Sequence, residues 1–492
     1  MSTEAVTVYV GTLIDAPERG TLRVRKNRML AVNGAGLIVA DLASAGSTNS
    51  ERQEEIKPLE DIASSLKTAV LAALQDGRVI ELTPTQFLLP GLVDCHLHAP
   101  QYSYTGTGLD LPLMGPEGWL EQYTFPAEKR MVEDLARARS QSQAVVRSTL
   151  RHGTTTALYF GTLHLEPCKV LADVADSLGQ RALIGKVCMD RNSPEDYSAS
   201  AAQNVTETEA LLDYCEKSCS SRIEGVITPR FVPTCSVDLM QQLGKLAAKK
   251  GCRVQTHVAE SADEVAFCKA LHTEVPRDTT LLDQCGLLPR SVMAHGVHLS
   301  DEEFKLIAAR GGGVAHCPLS NAYFANSIFR TRAALDLGVH VGLGTDIAGG
   351  YDPSMLSAMR SAVWASRILE SGSAEFDWGE GTPQITAEAP RNFPGARLSI
   401  PDALWLATMG GAGALGLEEK IGSLDIGKEF DASIVDLTCP DSRLDIFPEE
   451  GDGDRFEKFF HNGDDRNIVA VYVQGHRVLH RTATGLNWSA DD

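Results

Sequence analysis

Between residues 87 and 347 the chain repeats one pattern: a short apolar, β-rich run, a polar break, then a stretch with apolar residues every three or four positions. The apolar runs fall at 92–98, 154–160, 182–189, 226–232, 253–258, 292–299, 313–317 and 339–345. Helical periodicity occupies most of the gaps, at 131–150, 207–219, 237–249, 301–309 and 329–337. Short apolar runs bounded by turn residues read as buried strands, and 3.6-period segments as helices covering them. Strand and helix alternating eight times predict the α/β class, with a parallel sheet closed into a (β/α)8 TIM barrel.

Outside this region the period changes. Runs at 6–14, 37–40, 78–82, 432–435 and 468–473 are short, strand-like and separated by Gly, Asp and Asn. Short strands joined by turn residues predict a small β-sandwich built from both chain ends. The predicted division is 1–86 for its N-terminal part, 87–427 for the barrel and 428–492 for its C-terminal part. Small polar residues at 43–50 predict a flexible excursion, followed by a helical pattern at 62–74, the whole forming an insertion at about 43–76. A Gly- and acid-rich stretch at 371–385 predicts an exposed loop.

Charge narrows the function. The 492 residues carry a net charge of −20, which argues against nucleic acid as a partner, because phosphate neutralisation needs basic patches. No apolar run is long enough to span a bilayer, so no membrane role is expected. Residues 1–10 lack the basic and apolar regions of a signal peptide, and the eleven cysteines show no regular framework. A cytoplasmic location with reduced cysteines is the expectation.

The polar residues at the strand ends carry the candidate chemistry. His96 and His98 are two apart on the first run, and residues i and i+2 of a strand share a face. Among 13 histidines in 492 residues such a pair arises by chance about one time in three, so the pair alone is weak. Three later runs supply partners: His257 with Glu260 three residues on, His295, and Asp346 after Val341-Gly342-Leu343-Gly344-Thr345. Strand ends are where barrel enzymes keep their chemistry. Three imidazoles and a carboxylate suit a borderline divalent cation such as zinc, with the fourth imidazole facing a substrate. Glu260 is placed to act as a base on an attacking water; taken alone it reads as a loop glutamate, and Asp346 alone as a helix N-cap. His316 stays outside the proposed ligand shell. The string His164-Leu165-Glu166-Pro167-Cys168 holds pieces of another zinc-deaminase signature, but Leu171 stands where its second cysteine belongs, so the match is chance.

With His96-x-His98, His257, His295 and Asp346 in that order, the chain resembles the amidohydrolase superfamily. Residues 407–412 and 421–428 of the tail carry the same resemblance. Longer strings resemble the guanine deaminases within it: PGLVDCHLHAPQY at 90–102, WLEQYTFPAE at 119–128 and GTTTALYF at 153–160. Shorter ones, at 185–190, 228–231 and 463–468, support them, and the resemblance runs from about Leu88 to Val478. It implies one Zn2+ per chain on His96, His98, His257 and Asp346. It implies catalytic roles for Glu260, Asp346 and His295, Glu260 being the proton shuttle. It places a purine against His98, Gln101, Arg230, Phe231, His257, Glu260 and Asp346. The implied reaction is hydrolysis of guanine to xanthine and ammonia, in a homodimer. The Arg230 guanidinium and Gln101 amide suit the guanine carbonyl, and Phe231 its flat ring. Two departures stand out, the length of 43–76 and the sequence Val232-Pro233-Thr234-Cys235-Ser236. The alternatives are a superfamily deaminase or chlorohydrolase acting on a triazine, pterin or nucleoside, and, more remotely, an inactive barrel used as a scaffold.

Overall fold

The computed structural model describes residues 5–58, 63–275, 277–371, 393–482 and 485–488. Eight strands, Leu92–His98, Thr154–Phe160, Arg181–Cys188, Ile223–Pro229, Val254–Val258, Ser291–His295, Gly313–His316 and His340–Leu343, lie side by side in chain order. All neighbours pair in parallel. Each coincides with one of the eight apolar runs, shifted or shortened by a few residues at its ends.

The seam between the first and last strands is closed beyond the last regular pair. The Asp346 N–H donates to the His96 carbonyl at 2.8 Å, and the His98 N–H to the Ile347 carbonyl at 2.9 Å. Asp94 adds a side-chain staple, accepting from the Thr345 N–H at 3.0 Å and the Thr345 hydroxyl at 2.5 Å. These bonds bring the two ends of the barrel sequence together at one rim. At the other end Ala412, Leu415 and Ile421 pack among Val93, Leu158, Val226 and Val292 and fill the interior.

The covering helices include Ala201–Ser218, Val237–Lys250, Asp301–Ala309 and Thr331–Asp336. The helix expected at 131–150 is two: Phe125–Glu133 and Leu135–Arg151. Asp134 separates them, its extended backbone serving as an N-cap whose carboxylate accepts from Ala136 N and Arg137 N. Residues 372–385 of the expected exposed loop lie outside the described residues, and Ser371 ends the helix Met355–Ser371.

Both chain ends meet in a second, mixed sheet of nine strands. Its middle is the antiparallel pairing of Gln86–Pro90 with Ala432–Asp436. Gln86–Pro90 runs into the first barrel strand through Gly91, where a Cβ would lie 2.1 Å from the Thr155 hydroxyl, so only glycine fits. Four strands of this sheet were not expected: Arg23–Val32, Gln86–Pro90, His476–Thr482 and Gly485–Trp488. The flexible excursion expected at 43–50 is instead ordered. Ala43 ends a strand, and Thr48 with Glu51 forms a capping box that starts the helix Asn49–Ile56. Arg52 on that helix is buried, its guanidinium bonded to the Gly46 carbonyl and to Glu81. A second helix, Ser64–Gln75, follows, while Ile62 lies outside the described residues. Ile56, Val70, Ala73 and Leu74 from these helices pack on Val8, Met29 and Ala31 of the sheet.

Candidate metal centre and its cavity

Strand one delivers His96 and His98, strand five His257, and Asp346 follows strand eight. One donor atom from each lies within 4.8 Å of all the others. The Nε2 atoms of His98 and His257 are 3.1 Å apart. Asp346 Oδ1 is 3.0 Å from His96 Nε2 and 3.5 Å from His98 Nε2. Donors about 2.0–2.1 Å from a tetrahedral zinc ion stand about 3.3 Å apart, so the spacing fits such an ion. The polar chemistry fits too. His96 Nε2 is buried and makes no hydrogen bond. His257 Nδ1 donates to the Arg230 carbonyl at 2.7 Å, which leaves its Nε2 lone pair facing the other donors. Burial first, then the neighbouring imidazoles, lowers the pKa of all three histidines and keeps them neutral, the form that ligates a cation.

The backbone is unusual where these side chains leave the strands. Ala259, His295 and Asp346 have φ of 46°, 72° and 49°. Left-handed backbone is rare for residues with a Cβ and persists where the surroundings hold it. At Asp346 the holding groups are the seam bonds described above. Asp94 is wholly buried beneath the ligands, and burial raises its carboxyl to about 7.

A second carboxylate and a fourth imidazole face the ligand group. Glu260, His295 and Asp346 form a cluster of their own, with His295 Nε2 3.7 Å from Glu260 Oε2 and 3.9 Å from Asp346 Oδ2. Asn321 fixes the tautomer of His295. Its Oδ1 lies 3.0 Å from His295 Nδ1 and its Nδ2 3.3 Å from His316 Nδ1. His295 therefore donates through Nδ1 and presents Nε2 as an acceptor. His316 is two hydrogen bonds removed from His295, through Asn321, and outside the ligand group. Burial, helped by Asp346 and opposed by Arg230, raises Glu260 to about 8, so it can carry a proton near neutral pH.

A partly open cavity lies over these groups, with His98, His257, Glu260, His295 and Asp346 in its wall. Gln101, Arg230 and Phe231 line it beneath an apolar rim that includes Leu113, Trp119 and Phe324. Gln101 Oε1 accepts from the Ala348 N–H at 3.2 Å, which frees its amide N–H groups as donors. Arg230 is buried with Nη1 3.1 and 2.9 Å from the two carboxylate oxygens of Glu128. Its guanidinium also lies 5.2 Å from the Phe125 ring centre. Glu128 accepts from the Tyr197 hydroxyl at 2.7 Å as well, so its carboxylate is held from two sides.

Every site residue expected from sequence therefore meets at this rim. Asp94, Glu128 and Asn321 were missed. Glu128 closes the WLEQYTFPAE string just before Lys129 and Arg130, and Asp94 interrupts an apolar strand two residues before His96; neither position shows by itself what it pairs with. His164 of the dismissed string lies elsewhere, against Tyr197 at the start of the helix Leu165–Ser177.

The model of the Amidohydrolase family matches residues 87–478. The chain belongs to the amidohydrolase family. This amidohydrolase is 37% identical over 478 residues to the guanine deaminase of Homo sapiens, covering 96% of each chain. It is 36% identical over 474 residues to that of Dictyostelium discoideum, covering 96% of this chain and 98% of the other. Among solved structures it resembles the guanine deaminase of C. acetobutylicum with bound guanine in the active site. The TM-score is 0.79 and the identity 29%, over 96% of this chain and 99% of that one. It shares its fold with a zinc-bound adenosine deaminase of Xanthomonas campestris, at a TM-score of 0.75 and 24% identity, covering 96% and 92% of the two chains. Among the described residues no helix is long and apolar enough to cross a membrane.

Proposed function

We propose that this amidohydrolase deaminates guanine hydrolytically, giving xanthine and ammonia, with one zinc ion per chain. The observation that carries the reading is the placing of the Arg230 guanidinium and the Gln101 amide in one cavity with Glu260 and three of the four donors, His98, His257 and Asp346. The full-length similarity to guanine deaminases supports it. His96, His98, His257 and Asp346 would hold the ion, which when bound supplies Lewis-acid activation of water near neutral pH.

The remaining steps belong to side chains. Glu260 takes a proton from the attacking water and passes it to the ring nitrogen beside the amino-bearing carbon. Asp346 helps carry a second proton to the departing ammonia. His295, presenting Nε2 as an acceptor, faces an N–H of the substrate. His98, His257, Glu260 and Asp346 form the floor against which the purine lies, and Phe231 covers its ring. Arg230 and Gln101 donate to the carbonyl edge. Adenine has an amino group there, which would leave both donors unpaired and so disfavours it. A homodimer, as the resemblance implies, and a cytoplasmic setting, which suits eleven unpaired cysteines, complete the reading.

Ammonia release measured in parallel on guanine, adenine, cytosine and a triazine tests it. Guanine should be turned over with matching appearance of xanthine. A chain that ignores guanine and hydrolyses one of the others would overturn the assignment.

A further inference from the structure

Two buried carboxylates hold the turn that carries Glu260. Glu264 Oε2 accepts from the Glu260 N–H at 2.7 Å, and Asp278 Oδ2 accepts from the Ala259 N–H at 3.2 Å. The second oxygen of Asp278 accepts from the Thr279 N–H at 2.9 Å. Both side chains are buried, and with Cys268 they offer atoms within 4.8 Å of one another. Two acidic groups side by side in the interior are unfavourable neighbours, so a bland structural purpose is a poor account of them. Capping the helix Ala262–Leu271 does not require Glu264, because the Ser261 hydroxyl already accepts from the Glu264 N–H at 3.2 Å. The Glu264 carboxylate instead bonds the residue before the cap. What the pair does hold is a peptide in a disfavoured state: Ala259, at φ 46°, turns the chain from strand five toward Glu260. The Ala259 carbonyl is fixed from the other side by the His298 N–H at 3.0 Å.

We propose that Glu264 and Asp278 are positioning residues for Glu260. By gripping the two successive N–H groups of Ala259 and Glu260 they fix the direction in which the Glu260 side chain leaves the backbone, and so its approach to His295 and the substrate. The inference rests on the reading of Glu260 as the proton carrier. Asp278 stands off the cavity, and Glu264, which borders it, acts here through the Glu260 N–H.

The test is steady-state guanine kinetics and metal content of the holoenzyme. Glu264→Ala should lower kcat about ten- to a hundredfold with KM within about twofold, the signature of a misplaced catalytic group. Its metal content should stay at the wild-type level. Glu264→Gln should restore most of kcat, since the amide oxygen still accepts the Glu260 N–H. Asp278→Asn should fall between, because one amide oxygen replaces two acceptors that serve two N–H groups. Wild-type kcat in Glu264→Ala overturns the proposal, as does a Glu264→Gln variant no better than Glu264→Ala. If Glu264→Ala does not fold, unchanged kcat in Asp278→Asn overturns it equally. Glu260→Gln, run alongside, separates the two readings. Near-normal kcat there removes Glu260 as proton carrier, and the inference with it. A collapse there beside an intact Glu264→Ala defeats the positioning alone.

Discussion

His257 Nδ1 lies 2.7 Å from the backbone carbonyl of Arg230, so a proposed metal ligand is oriented by the main chain of a proposed substrate-binding residue. Removing the Arg230 side chain leaves that carbonyl in place. Arg230→Ala should therefore keep its metal while kcat/KM for guanine falls about ten- to a hundredfold, the effect of losing a charged hydrogen bond of roughly 1.5–3 kcal/mol. Discrimination against adenine should weaken as well. Lysine should restore only part of the loss, because it lacks the planar fork. Kinetics on both purines beside elemental analysis make the check.

Glu128 and Arg230 are both buried and paired through two contacts. Taking away one partner strands the other charge, at a cost of about 3–5 kcal/mol. Glu128→Ala should lower the urea midpoint accordingly and also weaken guanine use, because the guanidinium loses its orientation. An unchanged midpoint would mean that the pair contributes nothing to the folded state.

His98→Ala removes one of three imidazoles and should lose the metal and the activity together. Elemental analysis of the wild-type chain should find one divalent ion. A second ion at full activity would contradict the single-ion reading, since the fully protonated Arg230 borders the cavity where it would sit.

Glu260→Gln should retain metal and lose roughly 10²–10⁴-fold in kcat, because the amide matches the carboxyl in size and carries no proton. Its pH behaviour gives an independent reading. Burial holds Glu260 at about 8 in the folded chain, well above the roughly 4.3 of an unfolded one. The folded state keeps a proton that the unfolded state releases between those values. The group's contribution to stability is thus full below about 4.3 and is lost as pH rises toward 8. In metal-free protein the wild-type urea midpoint should fall relative to that of Glu260→Gln across this window. Parallel midpoints would rule the shift out.

The barrel was legible because each strand is a short apolar run buried on both faces, a pattern that needs no partner to be seen. The strand Arg23–Val32 was not, since its basic residues alternate with Val24 and hide the apolar period. Their partners sit on the flanking strands: Arg25 and Arg28 meet Asp41, and Arg23 meets Asp15. The helix Asn49–Ile56 buries little besides Arg52 and Ile56, so it has no apolar stripe, and only its capping box announced it. Within the site, residues set at strand ends could be picked out singly. Asp94 and Glu128 could not, because what gives them meaning is Thr345 and Arg230, 251 and 102 positions away.

The pairing of Gln86–Pro90 with Ala432–Asp436 also sets an order of assembly. Thr7–Asp15 pairs with one side of the strand that leads into the barrel, but during synthesis the other side must wait for more than three hundred residues before its neighbour exists, and contacts so far apart in sequence form late. Until then Phe87, Leu88 and Leu89 present a bare apolar edge beside a barrel already able to close. A chain stopped short of Ala432 would keep that edge for good, which makes it a candidate for aggregation rather than for partial activity.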